Sequence, residues 1–288
     1  MNGNEPQREA VIIEKKLIFL DIDGTLTEPG KNTPPESALT AIRRAQGNRH
    51  LVVLCSGRNY GMLSPLLKYG FDGLVGSAGG YIECGGKVVY DCPMTPEQQK
   101  QTMTALADHG VFRTIEGKHG SYTDEGFKDF LRENAQTSGN SELLRWREQI
   151  EGELGIRPME EYDGEPIYKI VFMCRCADDL LEPKRLLENA FHFCVQDVDQ
   201  YGIINGELIN KAFDKGTAVI RLCEYLHIPQ EDTIAFGDSM NDLEMIQAAG
   251  LGICMDNGSP ALKEAADMIC PSVTDDGLYR AFEKLNLI

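Results

Sequence analysis

Short apolar runs alternate with longer amphipathic stretches at both ends of the chain. Residues 16–22 (KLIFLDI) are apolar and end in Asp-Gly, the pattern of a buried parallel strand. Asp-Gly-Thr then turns the chain at the carboxyl end of that strand. Pro34-Pro35 opens a helix over 36–46, with Thr33 the expected cap. A second strand over 51–54 ends in small polar residues, Cys55-Ser56-Gly57, and a helix follows over 63–69. A third short strand covers 73–75. Strands alternating with helices predict a parallel α/β sheet of Rossmann type.

The pattern changes after this. Residues 81–84 and 87–90 flank Gly85-Gly86 and read as a β-hairpin. Helices are expected over 96–109, 125–135, 142–154 and 178–189. Strands are expected over 167–174, 191–197 and 201–209, the last interrupted at Asn205-Gly206. Strands so close together can pair antiparallel. Residues 82–210 are therefore expected to form an inserted α+β domain, and 1–81 with 211–288 the core. The first pattern resumes with helices over 215–227, 242–249, 260–266 and 278–285, and strands over 233–236, 251–255 and 268–270.

A length of 288 residues fits one large or two modest domains. The net charge of −17 argues against sequence-independent nucleic-acid binding, which depends on Lys and Arg neutralising phosphates. The basic group Arg43, Arg44, Arg49 reads as a solvated helix face. No apolar run reaches the roughly 18 residues that span a bilayer, and the first ten residues carry no apolar signal stretch, so no membrane partner is expected. Nine cysteines without a CxxC pair fit reduced thiols and a cytoplasmic protein. Five histidines without HExxH spacing give no zinc-hydrolase pattern.

Chemistry collects at three strand ends. Asp21 and Asp23 are two residues apart, so both carboxylates can face one side. Ser56-Gly57-Arg58 offers a hydroxyl, a close-approach glycine and a guanidinium, a set suited to phosphate. Gly237-Asp238-Ser239-Met240-Asn241-Asp242 adds two carboxylates and an amide. Lys215 opens a helix just before it, and Thr25 is a further phosphate-donor candidate. Ligands in open α/β sheets gather at the carboxyl ends of strands. Carboxylates so clustered repel unless a hard cation such as Mg2+ joins them.

DIDGT, SGR, DKGTA and GDSMND, in that order, resemble the four motifs of the haloacid-dehalogenase-like (HAD) phosphatases. The arrangement is most similar to the Cof-type subgroup, whose α/β cap is inserted between the second and third motifs. The resemblance implies a phosphomonoesterase acting on small phosphorylated metabolites, sugar phosphates among them. It implies Asp21 as nucleophile, forming an aspartyl-phosphate, and Asp23 as general acid, then base. It implies Mg2+ on the Asp21 and Asp238 carboxylates and the Asp23 carbonyl, with Asp242 steadying the water shell or the Lys215 ammonium. Ser56, the Gly57 amide, Lys215 and Asn241 would hold phosphate oxygens. A sugar phosphomutase and a non-catalytic phospholigand-binding protein are the alternatives. Neither substrate identity nor oligomeric state is legible.

One departure is Ala78-Gly79-Gly80, where the family often has Asn-Gly-Ala. Met255-Asp256-Asn257-Gly258 is read as support for the fourth motif. Cys55 and Trp146 are read as packing residues, and Lys169 as a snorkelling strand residue.

Overall fold

The computed structural model describes residues 15–29, 31–127, 156–198 and 204–288. The expected helix over 142–154, with Trp146, and the helix over 125–135 beyond Phe127 lie outside them.

An eight-stranded sheet runs in the order β14-β13-β12-β1-β2-β3-β4-β5. Its strands are β1 (Leu17–Leu20), β2 (Leu51–Cys55), β3 (Gly73–Gly76), β4 (Tyr81–Cys84), β5 (Lys87–Asp91), β12 (Thr233–Gly237), β13 (Leu251–Met255) and β14 (Met268–Cys270). The six strands from β14 to β3 are parallel; β4 and β5 add antiparallel. The four residues of β1 are fully buried because both faces are covered. Ile18 and Leu20 pack with helices α1 (Glu36–Gly47), α2 (Tyr60–Leu67) and α8 (Gly277–Lys284). Leu17 and Phe19 pack with α5 (Lys215–Leu226), α6 (Leu243–Ala248) and α7 (Pro260–Ala265). The result is an α/β sandwich of three layers, as the alternation predicts.

Helix α1 buries Ala38, Ala41, Ile42 and Ala45, one helical stripe. Thr33 does not cap it. Pro35 holds the N-cap position in extended backbone, with no side-chain cap bond. Arg43 and Arg44 lie on the exposed face, on Glu36 and the Tyr279 hydroxyl.

The second sheet runs in the order β10-β11-β9-β6-β7-β8. It comprises β6 (Phe112–Gly117), β7 (Ser121–Thr123), β8 (Ile156–Pro158), β9 (Ile167–Cys174), β10 (Phe191–Val198) and β11 (Ile204–Asn210). Its pairings are antiparallel except β7 with β8. Helices α3 (Pro96–Asp108) and α4 (Leu181–Leu187) cover one face, over Ile115, Tyr122, Ile170, Phe172 and Leu208. The opposite face is polar and buried, with Thr114, Glu116, Ser121, Thr123, Lys169 and Asn205 all at 3 % exposure or less. Among the described residues no helix is long and apolar enough to cross a membrane.

Two differences from the sequence reading have physical reasons. The hairpin β4–β5, grouped above with the insert, hydrogen-bonds to the first sheet, because Ile82 and Cys84 bury against α5's face of that sheet. Strand β11 does not break at Asn205-Gly206. Gly206 stands in mid-strand because the Phe172 ring covers it; a Cβ there would lie 2.5 Å from Phe172 Cζ and 2.6 Å from the Cys194 carbonyl oxygen. Gly206→Ala is therefore expected to destabilise the chain by about 1–3 kcal/mol, the usual cost of overpacking. Thermal denaturation checks this; an unchanged melting temperature would show the strand yielding freely.

Candidate active site

Strands β12, β1 and β2 are neighbours and parallel, so their carboxyl ends share one edge. Asp21 follows β1, Ser56 follows β2 and Asp238 follows β12. The Asp21 amide donates to the Phe236 carbonyl at 3.0 Å, holding the loop after β1 against the neighbouring strand end. Helix α5 begins at the same edge. Its cap, Asp214, accepts from Thr217 N at 2.6 Å, and Thr217 Oγ1 accepts from Asp214 N at 2.9 Å. Lys215, the first helical residue, is 2 % exposed. Its Nζ donates to Asp21 Oδ1 at 2.8 Å and to Asp242 Oδ1 at 2.5 Å.

Asp242 also organises its own turn. Its Oδ2 accepts from the amides of Asp238 and Ser239, at 3.0 and 3.2 Å. Asp238 comes close to Gly24, which has φ +89°; a Cβ on Gly24 would lie 2.2 Å from Asp238 Oδ2. The loop at 255–258 braces both sides. Asn257 Nδ2 donates to the Gly24 carbonyl at 2.7 Å, and the Ser259 amide donates to the Asp238 carbonyl at 2.8 Å. It thus supports the first motif as well as the fourth.

The remaining candidates fall in different places. Ser56 is buried; its Oγ accepts from the Arg58 amide at 3.2 Å, which leaves its hydroxyl proton to point elsewhere. Arg58 turns its guanidinium onto Asp23, with Nε to Oδ2 at 2.8 Å and Nη2 to Oδ1 at 2.7 Å. A third contact, from Nη1, reaches Asn32 Oδ1 at 2.5 Å. Thr25 is fully buried with no partner for its Oγ1. Asn241 is exposed and accepts from Ser239 Oγ at 2.6 Å. Ser77 and Ala78 both adopt left-handed backbone, φ 50° and 57°. The Ser77 amide donates to the Arg58 carbonyl, and the Ala78 amide to the Ser56 carbonyl.

One residue escaped the sequence reading, and another was read differently. Asn59 caps α2 through Met62 N at 2.9 Å and donates across to Ser121 Oγ at 3.2 Å. An Asn directly before a helical run is itself a capping signal. Lys169 does not snorkel. It is 3 % exposed, and its Nζ donates to Glu207 Oε1 at 2.6 Å and to the Gly57 carbonyl at 3.1 Å.

Burial raises the Asp21 carboxyl well above the ordinary range, and Asp242 adds to this; Lys215 opposes it. Burial raises Asp238 to about 7, again with Asp242 adding. Burial would pull the Lys215 ammonium down, but Asp21 and Asp242 outweigh it and lift it well above its usual value. Burial likewise pushes the Cys55 thiol far up, so it carries no thiolate.

Asp21, Asp238 and Asp242 can bring one oxygen each within 4.8 Å of one another. Three carboxylates against one buried ammonium leave excess negative charge in a low-dielectric place. No other residue's side chain hydrogen-bonds the Asp238 carboxylate among the described residues. An all-oxygen donor set of this kind fits a hard divalent cation.

The profile of the haloacid dehalogenase-like hydrolases matches residues 18–282. The chain belongs to that family. It is 27% identical over 281 residues to YkrA of Bacillus subtilis, a protein named as a candidate phosphatase, covering 96% of this chain and all of the relative. It is 26% identical to YwtE of the same species, a 5-amino-6-(5-phospho-D-ribitylamino)uracil phosphatase, covering 94% of this HAD chain and 98% of the relative. A solved HAD subclass IIB sugar phosphatase, BT4131, superposes with a TM-score of 0.72 at 21% identity, over 95% of this chain and all of the other, which establishes the shared fold.

The raised carboxyls carry a pH dependence. Asp238 holds its proton to about pH 7 in the fold and to about pH 4 when unfolded. Its contribution to stability is therefore present in acid and lost as pH rises through 7. With chelator present, wild type is expected to lose more thermal stability than Asp238→Asn between pH 5 and 8. Parallel melting curves across that range would place the Asp238 titration elsewhere.

Proposed function

We propose that this hydrolase is a magnesium-dependent phosphomonoesterase for small organic phosphates, sugar phosphates among them, working through an aspartyl-phosphate on Asp21. The observation that carries the reading is the buried Asp21–Lys215–Asp242 relay with Asp238 beside it. Hydrolase family membership and the phosphate ester in the name of the relative YwtE support it. We also propose the division of labour: residues 1–81 and 211–288 do the chemistry, and the insert selects the substrate. The nine free cysteines suit a reducing, cytoplasmic setting.

Lys215 aims Asp21 Oδ1, so the other oxygen, Oδ2, is the one presented for attack on phosphorus. The same ammonium lowers the repulsion between a carboxylate and a phosphate dianion. The Asp21 and Asp238 carboxylates and the Asp23 carbonyl would hold Mg2+, which would supply charge neutralisation. Ser56 donates its free hydroxyl proton to the phosphate, and the Gly57 amide is the second donor of the loop. Asp242 sets Lys215 and the turn that carries Asp238. Asp23 gives a proton to the leaving oxygen, then takes one from water. In the present geometry the Arg58 fork occupies both Asp23 oxygens, so one must pass from Arg58 to the leaving group as the substrate seats.

Asp21→Asn keeps the shape and removes the nucleophile. It should abolish turnover with retained phosphate binding, and radiolabelled phosphate should be trapped on wild type alone. Equal labelling of the two would place the nucleophile elsewhere.

Asp23→Asn is expected to reveal the acid through the leaving group. General acid help is worth about 10² to 10⁴ in rate. A sugar alkoxide needs it and a nitrophenolate does not. Single-turnover release of sugar should therefore slow far more than the pre-steady-state burst of nitrophenol. Equal slowing of both first steps would remove Asp23 from the acid role.

A further inference from the structure

Lys169 stands on β9, in the inserted sheet, yet touches the phosphate loop of the core. Three oxygens surround its Nζ: Glu207 at 2.6 Å, the Gly57 carbonyl at 3.1 Å and Glu116 at 3.3 Å. The register explains the cluster. Glu116 lies directly opposite Lys169 across the β6–β9 ladder, and Glu207 stands opposite Val171 on the other neighbour. Burial disfavours the ammonium, but Glu116 and Glu207 outweigh it and keep the lysine charged. A buried ammonium has three N–H donors to satisfy. The insert's own glutamates take part of that demand, and the rest is met across the junction, at the Gly57 carbonyl.

That bond falls on a particular peptide. The Gly57 carbonyl and the Arg58 N–H are the two ends of one planar unit. Lys169 holds the carbonyl end. The N–H end donates to Ser56 Oγ at 3.2 Å. Fixing one end fixes the other, and so fixes which way the Ser56 hydroxyl proton can point. The same loop carries the Arg58 side chain to Asp23. Further bonds stitch the loop to the insert: Asn59 Nδ2 to Ser121 Oγ, and the Gly61 amide to the Lys118 carbonyl at 2.9 Å. Those run to the flank of the loop, whereas the Lys169 bond runs to its centre.

We propose that Lys169 is a positioning residue, which couples the seating of the insert to the geometry of the phosphate loop. With the insert seated, the 57–58 peptide is held, and Ser56 and Arg58 are aimed. With it withdrawn, that peptide is free to turn about Gly57. The proposal rests on the phosphatase reading above.

The test is Lys169→Met in the full chain. A displaced phosphate loop harms the phosphate and not the leaving group. The kcat should fall about ten- to a hundredfold, the scale of a small misplacement. The factor should be the same for p-nitrophenyl phosphate and for a hexose phosphate. Inhibition by inorganic phosphate should weaken, and hydrogen exchange at the Arg58 amide should quicken. Lys169→Arg, which can still donate to Gly57, should recover part of the rate. A loss confined to the hexose phosphate would overturn the proposal and make Lys169 a leaving-group contact. A lower melting temperature with unchanged kcat and phosphate inhibition would overturn it as well. Should Lys169→Met not fold, adding Glu116→Gln and Glu207→Gln removes the three charges together, with the same outcomes expected. If wild type hydrolyses neither ester, the phosphatase reading fails, and the exchange rate at Arg58 still decides for or against the positioning role.

Discussion

The Lys215 ammonium, sealed between Asp21 and Asp242, is the contact on which the rest of the site is built. Stripping one charge from water costs several kcal/mol, and removing one partner of a buried pair costs about 3–5 kcal/mol. The fold must therefore deliver three charged tips to one point from three separate segments. Helix α5 does so by starting within the sheet edge rather than behind it. Glycines make room for that start. A Cβ on Gly79, at φ +109°, would lie 2.3 Å from the Asp214 carbonyl oxygen, and one on Gly216 would lie 2.5 Å from that of Glu244. Asp214 then caps the helix with its side chain, and the next residue, Lys215, projects into the cluster.

The core was legible because its signals are one-dimensional. A strand buried on both faces reads as an unbroken apolar run, and β1, β2, β12 and β13 do. Asp21, Ser56 and Asp238 come directly after such runs, so their meeting at one edge follows from the parallel order alone. Lys215 was legible as the opening residue of a helix. The insert was less legible because its sheet has one polar buried face. FRTIEG and SYT, the sequences of β6 and β7, carry Thr114, Glu116, Ser121 and Thr123 on that face. Their apolar content is too low to announce strands, and neither was expected. Lys169 was misjudged for the same reason. A lysine in YKIVFM looks amphipathic until Glu116 and Glu207, far away in sequence, are placed beside it. Arg58 shows a third limit. Spacing put a guanidinium at the right edge, but not its choice of Asp23 as a partner.

A sheet face that is both polar and buried has a physical cost, since each group loses water and must find a partner. Most of these groups have one. Thr114 and Thr123 share a hydroxyl contact at 2.9 Å, and Asn59 reaches Ser121. Asn205 has none for either end of its amide. The apolar face of the same sheet packs under α3 and α4. The polar face carries its own charge constraint, because the buried Lys169 must keep Glu116 and Glu207. The eight-stranded sheet meets the same constraint at its edge, where Asp21, Lys215 and Asp242 are balanced against one another.

That balance also orders the events at the site. Asp21, Asp238 and Asp242 with Lys215 sum to a formal −2 when ionised. The Arg58–Asp23 pair adds nothing to the sum. A phosphate dianion approaching this cluster meets repulsion in a place where water screens little. A divalent cation would bring the formal sum to zero, and the positive end of the α5 dipole would then weigh as a net attraction. The raised Asp238 carboxyl expresses the same constraint from the other side. Without a cation the cluster relieves its charge by holding a proton on Asp238, and under the proposed function a bound cation would free that carboxylate to act as a ligand. Under the proposed function, cation and phosphate therefore depend on each other. On that proposal, selectivity for a phosphate dianion would follow from charge balance more than from the shape of any pocket.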